Sequence, residues 1–282
     1  MGKQGTLYIV ATPIGNLGDM TQRAIEVLCQ VDCIAAEDTR HSAPLLRHFE
    51  INQTLVAYHE HNEREMTEAL LTRLQNGQSI ALITDAGTPL ISDPGFQLVR
   101  AARKMGISVT PIPGPSALTC ALSVSGLPCD RFIFEGFLPA KAIARRSHLE
   151  SLRTETRTIV FYESPHRVQE TLADLVAIFG KERHAVLARE LTKIHEVVHS
   201  GTLVDLVALV DSDPNQRKGE FVLLMEGSSK MEDTGHQEAK RVLKILLQEV
   251  STRQAVELAT KIVGIRKNVL YELALDSFEK KQ

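Results

Sequence analysis

Short apolar runs without polar alternation recur along the first part of the chain. They are GTLYIVA (Gly5 to Ala11), CIAAE (Cys33 to Glu37), LVAY (Leu55 to Tyr58), IALIT (Ile80 to Thr84) and ISVTPI (Ile107 to Ile112). Unbroken runs of this kind predict strands buried on both faces, as in parallel sheets covered by helices. Helical periods fall between them at Thr21 to Gln30, Asn62 to Gln75 and Phe96 to Met105. A strand followed by a helix, repeated, predicts a parallel or mostly parallel α/β sheet.

The segment PIPGPSA (Pro111 to Ala117) breaks that rhythm and reads as a domain junction. A second α/β set follows. FIFEGF (Phe132 to Phe137), TIVFYE (Thr158 to Glu163), HAVLARE (His184 to Glu190) and EFVLLME (Glu220 to Glu226) predict strands. Helices are predicted at Ala142 to Leu152, Pro165 to Phe179 and Leu203 to Val210. Ser164 is placed to cap the second of these, Pro165 suits its first turn, and Gly180 a left-handed exit. SSKMEDTG (Ser228 to Gly235) reads as a linker. Beyond it, Gln237 to Glu249, Thr252 to Val263 and Arg266 to Phe278 have helical patterns, the last two joined at Gly264 in a helix-turn-helix outline. The expected division is an α/β domain over 1–113, a second over 114–227, and a linker with a small helical domain over 228–282.

Composition narrows the function. The 282 residues carry 24% charged side chains and a net charge of −3, which argues against a broadly basic nucleic-acid binder while leaving room for a local basic patch. The start lacks a signal peptide's long apolar region, and the apolar runs are strand-sized, so a cytoplasmic protein with no membrane span is expected. No metal is expected: there is no HExxH, no CxxC, and His59 and His61 lack a third ligand. Neither GxGxxG after the first strand nor GxxxxGK[ST] occurs, which disfavours a Rossmann dinucleotide fold and a P-loop.

What remains is a set of loops at the predicted strand ends. They are TPIGNLGD (Thr12 to Asp19), EDTR (Glu37 to Arg40), DAGTPLISDPG (Asp85 to Gly95), PGPSA (Pro113 to Ala117), YESPHR (Tyr162 to Arg167) and RELTKIHE (Arg189 to Glu196). Ligands of parallel sheets sit beyond strand carboxyl ends, and glycines there let backbone approach a ligand closely. In their order these loops resemble those of the tetrapyrrole-methylase-like class of S-adenosylmethionine-dependent methyltransferases. Within it they are similar to the branch that methylates the 2'-hydroxyl of a cytidine ribose in small-subunit ribosomal RNA. The resemblance implies two α/β domains with S-adenosylmethionine between them, usually in a homodimer, and ribosomal RNA, within the small ribosomal subunit, as partner. The helical tail fits that branch too.

By motif, the resemblance puts Pro13, Gly15, Asp85, Ala86, Gly87, Thr88, Ser116 and Ala117 at the cofactor, with Tyr162, Leu187 and Ala188 packing on it from the second domain. Tyr162 can equally be read as a core aromatic. Asp85 and Asp93 read as loop and ligand scaffolding. Glu37, Asp38, Arg40, His59, Glu163, His166, Arg167, Arg189, Glu190, Lys193 and Glu196 are expected to face the substrate or to pair with one another. Arg40, Arg167 and Lys193 are the candidates for phosphate contact, and Glu163, His59 and Lys193 the candidate catalytic bases. The arginine-rich stretch Arg145 to Arg157 and the terminal helices can be read as solvated faces or as RNA contacts. A tetrapyrrole or other small-molecule methyltransferase, and a non-catalytic cofactor-binding assembly factor, are the competing functions.

Overall fold

The computed structural model describes residues 4–228 and 231–279. Ser229 and Lys230 of the expected linker, and the extreme ends of the first and last predicted domains, lie outside the described residues. The first half runs β1 (Thr6–Val10), α1 (Gln22–Gln30), β2 (Cys33–Ala36), α2 (Thr39–His48), β3 (Leu55–Ala57), α3 (Glu63–Gln75), β4 (Ile80–Ile83), α4 (Phe96–Lys104) and β5 (Ser108–Ile112). Its strands form one parallel sheet in the order β3-β2-β4-β1-β5. On one face Ala24 and Leu28 of α1 and Leu46 of α2 pack with Val10, Ile34 and Ile83. On the other, Leu70 and Leu74 of α3 and Leu98 of α4 pack with Leu7 and Leu82. β1 and β4 are neighbours, yet the chain leaves them in opposite directions, toward β2 and toward β5. The crevice at such a switch point, beyond the strand ends, is where open α/β sheets bind ligands.

The second half contains α5 (Ala117–Ser125), β6 (Phe132–Phe137), α6 (Ala142–Ser151), β7 (Thr158–Glu163), α7 (Val168–Phe179), β8 (His184–Arg189), β9 (Val197–Thr202), α8 (Leu203–Ser212) and β10 (Phe221–Met225). The sheet order is β6-β7-β10-β8-β9, with β6 and β7 parallel and the other pairings antiparallel. Helices α6, α7 and α8 cover its outer face through Leu149, Leu172, Leu175 and Leu206. Its inner face packs on Leu118 and Leu122 of α5, and on Ile14 from the loop after β1. The two sheets therefore meet across the loops at the switch point.

Three local expectations change. Helix α7 begins at Val168, because a turn over Pro165 to Arg167 intervenes, with the Arg167 and Val168 N–H groups both reaching Ser164 O at 3.1 Å. Gly180 has the expected positive φ of 89° but an extended ψ of 157°. The stretch Arg145 to Arg157 is neither a free basic face nor wholly solvated. Arg145 is buried against Asp174, and Arg146, Arg153 and Arg157 each pair with a carboxylate.

The tail forms α9 (Met231–Glu249), α10 (Thr252–Val263) and α11 (Lys267–Glu279). Residues Met231 to Gly235, expected in the linker, are helical. The three helices share a core of Ala239, Leu243, Val256, Ala259 and Leu270. Gly264 closes α10 with φ 69°, its N–H on Thr260 O at 3.1 Å, so the helix-turn-helix outline holds. Lys240, Lys244, Arg253, Lys261 and Arg266 are exposed on it.

Candidate active site

A cavity of about 440 Å³ opens between the two sheets at the carboxyl ends of β1, β2 and β4, a volume within the range of about 300–1,000 Å³ usual for small-molecule sites. The loops that frame it are tied to one another by backbone. Thr12 and Gly87 exchange N–H···O bonds of 2.9 and 3.0 Å, and the Thr12 hydroxyl donates to Thr84 O at 3.1 Å. Thr88 Oγ1 then donates to Pro115 O at 3.0 Å, which fastens the second loop to PGPSA. Gly87 has φ 84°, and a Cβ there would stand 3.3 Å from Ile14 Cγ2. Leu90, Ser92, Glu190 and Thr192 also hold positive φ without being glycine. Such backbone, in loops on both sides of one cavity, is the strain that functional sites store.

The cavity gathers most of the residues assigned to the cofactor. Asp85, Ala86, Gly87, Thr88, Ser116, Ala117, Tyr162 and Ala188 line it, as does Glu163. Pro13 and Gly15 do not line it, but the intervening Ile14 does. Gly15 instead lies beneath Lys193, whose Cγ would be 2.4 Å from a Cβ at that position. Leu187 turns the other way, into the outer core, because neighbours on a strand point to opposite faces. Ile91, Ser92, Phe137, Leu191, Phe221 and Val222 line the cavity without having been singled out. Three of these belong to loops that the motifs did mark, whereas Phe221 and Val222 sit on β10, whose central antiparallel place no sequence signal reveals.

Tyr162 ties β7 to α5 and β6. Its hydroxyl accepts the Leu118 N–H at 3.1 Å, capping an otherwise free donor at the start of α5, and its ring meets Phe134 and Phe137 edge-on. Burial pushes its pKa up, so the phenol keeps its proton. Tyr162→Phe should lower stability by about 1 kcal/mol, at the low end for an orphaned N–H because the cavity admits water; urea denaturation measures it, and an unchanged midpoint would deny the capping role.

The charged candidates are more constrained than the loops. Glu163 accepts from Ser164 N–H at 2.7 Å, Thr171 Oγ1 at 2.6 Å and the Arg167 guanidinium at 2.9 Å, so three donors already hold it. Arg167 also donates to Leu138 O and Ser164 Oγ. Arg40 stands 90% exposed on Asp38, outside the cavity lining. Lys193 binds Glu190 at 2.9 Å and Glu220 at 3.0 Å. Burial lowers its pKa, but these two carboxylates outweigh that and leave it raised, so it stays an ammonium. His59 lies outside the cavity lining, with its N–H on Asn62 Oδ1 at 2.8 Å and a buried Nδ1 that has no hydrogen-bond partner. The lining carries Glu37, Asp85, Asp93, Glu163 and Glu220 and, among the described residues, no lysine, arginine or histidine. Burial, then Asp85 and Asp38, raises the Glu37 pKa; burial, then Glu37, takes Asp93 up to about 7. No group of side chains that could hold a metal ion occurs among the described residues.

A backbone-rich pocket with an acidic floor suits a cationic small molecule and repels phosphate. Residues 6–207 match a family model described as Tetrapyrrole (Corrin/Porphyrin) Methylases, and residues 233–277 one described as RsmI C-terminal HTH domain. The chain is similar to Ribosomal RNA small subunit methyltransferase I of Pseudomonas aeruginosa, 56% identical over 273 residues, 96% of this chain and 97% of that one. The protein of that name from Escherichia coli O157:H7 is 54% identical over 273 residues, 97% of this chain and 96% of the relative. Among solved structures, uroporphyrin-III-C-methyltransferase from Thermus thermophilus superposes with a TM-score of 0.57 at 20% identity, covering 79% of this chain and 94% of that one. Diphthine synthase does so with 0.59 at 15%, covering 79% and 90%. The structures share the fold; the sequence relatives extend the match through the helical tail. Matched by the family model from β1 into α8 and by relatives almost end to end, this chain belongs to the tetrapyrrole methylase family, in its ribosomal RNA small subunit methyltransferase I group.

Proposed function

We propose that the protein transfers a methyl group from S-adenosylmethionine to the 2'-hydroxyl of a cytidine ribose in small-subunit ribosomal RNA. The enzyme class and the RNA follow from the family and its sequence relatives; cytidine and the 2'-hydroxyl come from the resemblance of the loop motifs. The observation that carries the reading is the acidic cavity between the sheets, at the switch point of the first. When bound, the cofactor supplies an electrophilic methyl on a positively charged sulfonium. Asp85 to Thr88, Ser116, Ala117, Tyr162 and Ala188 would hold it, chiefly through backbone groups and apolar contact. These residues would orient the cofactor toward the incoming hydroxyl, and orientation of this kind can remove about 7–11 kcal/mol of a barrier.

The same lining disfavours a tetrapyrrole substrate, whose carboxylates would meet Glu37, Asp85 and Asp93 with no lining cation to receive them. Phosphates are to be held outside the cavity. The exposed Lys and Arg of the tail, which is absent from the part shared with the tetrapyrrole enzymes' fold model, are suited to that. We take the division into 1–113, 114–227 and 228–282 as the working domain plan, with a cytoplasmic homodimer acting on the small subunit. No helix of the described residues is long and apolar enough to cross a membrane. Incubation with methyl-labelled cofactor and either free RNA or isolated small subunits should label the RNA. Nucleoside mass spectrometry should find the label on a cytidine ribose; label on a base, or on none, would reject the proposal.

A further inference from the structure

Four of the five carboxylates that line the cavity are held by backbone N–H groups or by cations. Asp85 Oδ1 accepts the Asp38 N–H at 3.1 Å, and Glu37 accepts the backbone N–H of Asp85. Glu163 holds its three donors, and Glu220 binds Lys193. Asp93 has a hydroxyl, that of Thr84, as its hydrogen-bond donor. It lines the cavity beside the Thr84 hydroxyl and under the like charges of Glu37 and Asp85, and its own charge reaches Tyr162 on the opposite wall. It therefore stands on the cavity wall that faces Tyr162.

We propose that Asp93 is the catalytic base, taking the proton of the ribose 2'-hydroxyl during methyl transfer, an inference that rests on the functional reading above. The O–H bond breaks as the new O–CH₃ bond forms. The S–CH₃ bond breaks with its electron pair left on sulfur, which becomes a neutral thioether, and the proton ends on the Asp93 carboxylate. A base is most effective when it titrates near the working pH. Burial, then the charge of Glu37, then that of Asp85, raises Asp93 to about 7, while Thr84 pulls the other way. The other titratable groups around this cluster are the Asp38 and Arg40 pair, His41 and Tyr162.

The sign of the stability effect follows. Between the ordinary aspartate range and about 7 the folded protein keeps a proton that the unfolded chain releases, so stability falls as pH rises through that window. Asp93→Asn abolishes this loss and should melt higher than the parent at pH 8, with no such gain at pH 4. In turnover of labelled cofactor on small-subunit RNA, the parent kcat should climb with pH and level off above about 7. The Asn variant should lose about 10²–10⁴ in kcat together with that inflection, and Asp93→Glu should recover part of the rate. An Asn variant that keeps the parent kcat or its inflection, melts no higher at pH 8, or loses cofactor affinity instead of rate overturns the assignment. A parent that methylates no RNA at any pH rejects the functional reading itself.

Discussion

Gly87→Leu should leave a folded protein with no measurable S-adenosylmethionine binding in calorimetry. Two independent effects act at this residue. Its φ of 84° is left-handed, which costs a non-glycine residue about 1–3 kcal/mol. The paired bonds to Thr12 prevent the backbone from rotating to relieve that cost. A side chain there also starts 3.3 Å from Ile14 Cγ2 and has to extend beside the cavity that Gly87 and Ile14 both line. Gly87→Ala carries the backbone cost with little of the obstruction and should weaken binding less. Equal, parental affinities in both variants would show that the cofactor does not occupy this cavity.

The parallel sheet and its loops were legible because both faces of β1, β2 and β4 are covered, and double burial leaves an unbroken apolar run. Other elements hid for physical reasons. Helix α2 begins in EDTR, with Asp38 capping the Arg40 N–H at 2.8 Å, but Pro44 and a polar surface obscure its period. Helix α5 starts inside the proline-rich junction, with its first residue, Ala117, in a marked loop, and β9, VVHSGT, is an edge strand with little apolar content. Leu187 and Ala188 were both assigned to the cofactor, although strand pleating allows only Ala188 to face it. The acidic floor was least legible, since Glu37, Asp85 and Asp93 become neighbours only where β2 and β4 pair. Which groups pair was equally out of reach: Arg167 and Lys193 could contact phosphate or pair, and Glu163, Glu190 and Glu220 close on them.

Asp174→Ala should destabilise the protein by about 3–5 kcal/mol, the usual cost of stranding one member of a buried ion pair. Asp174 on α7 accepts from Arg145 Nε at 2.7 Å and Arg146 Nε at 2.6 Å. The Arg145 side chain is 2% exposed and that of Asp174 4%. Without Asp174, Arg145 keeps only the exposed Glu170 at 3.2 Å, and one of its nitrogens already has no hydrogen-bond partner. Arg146, 66% exposed, can turn to water, so Arg146→Ala should cost less than about 1 kcal/mol. Replacing Arg145 and Asp174 together by Met and Leu removes both charges from the interior and should restore parental stability or better. Denaturant titration of the three variants separates the terms. A double variant as unstable as Asp174→Ala would mean that α6 and α7 depend on the ion pair itself, not on the burial of Leu149 and Leu172 beneath it.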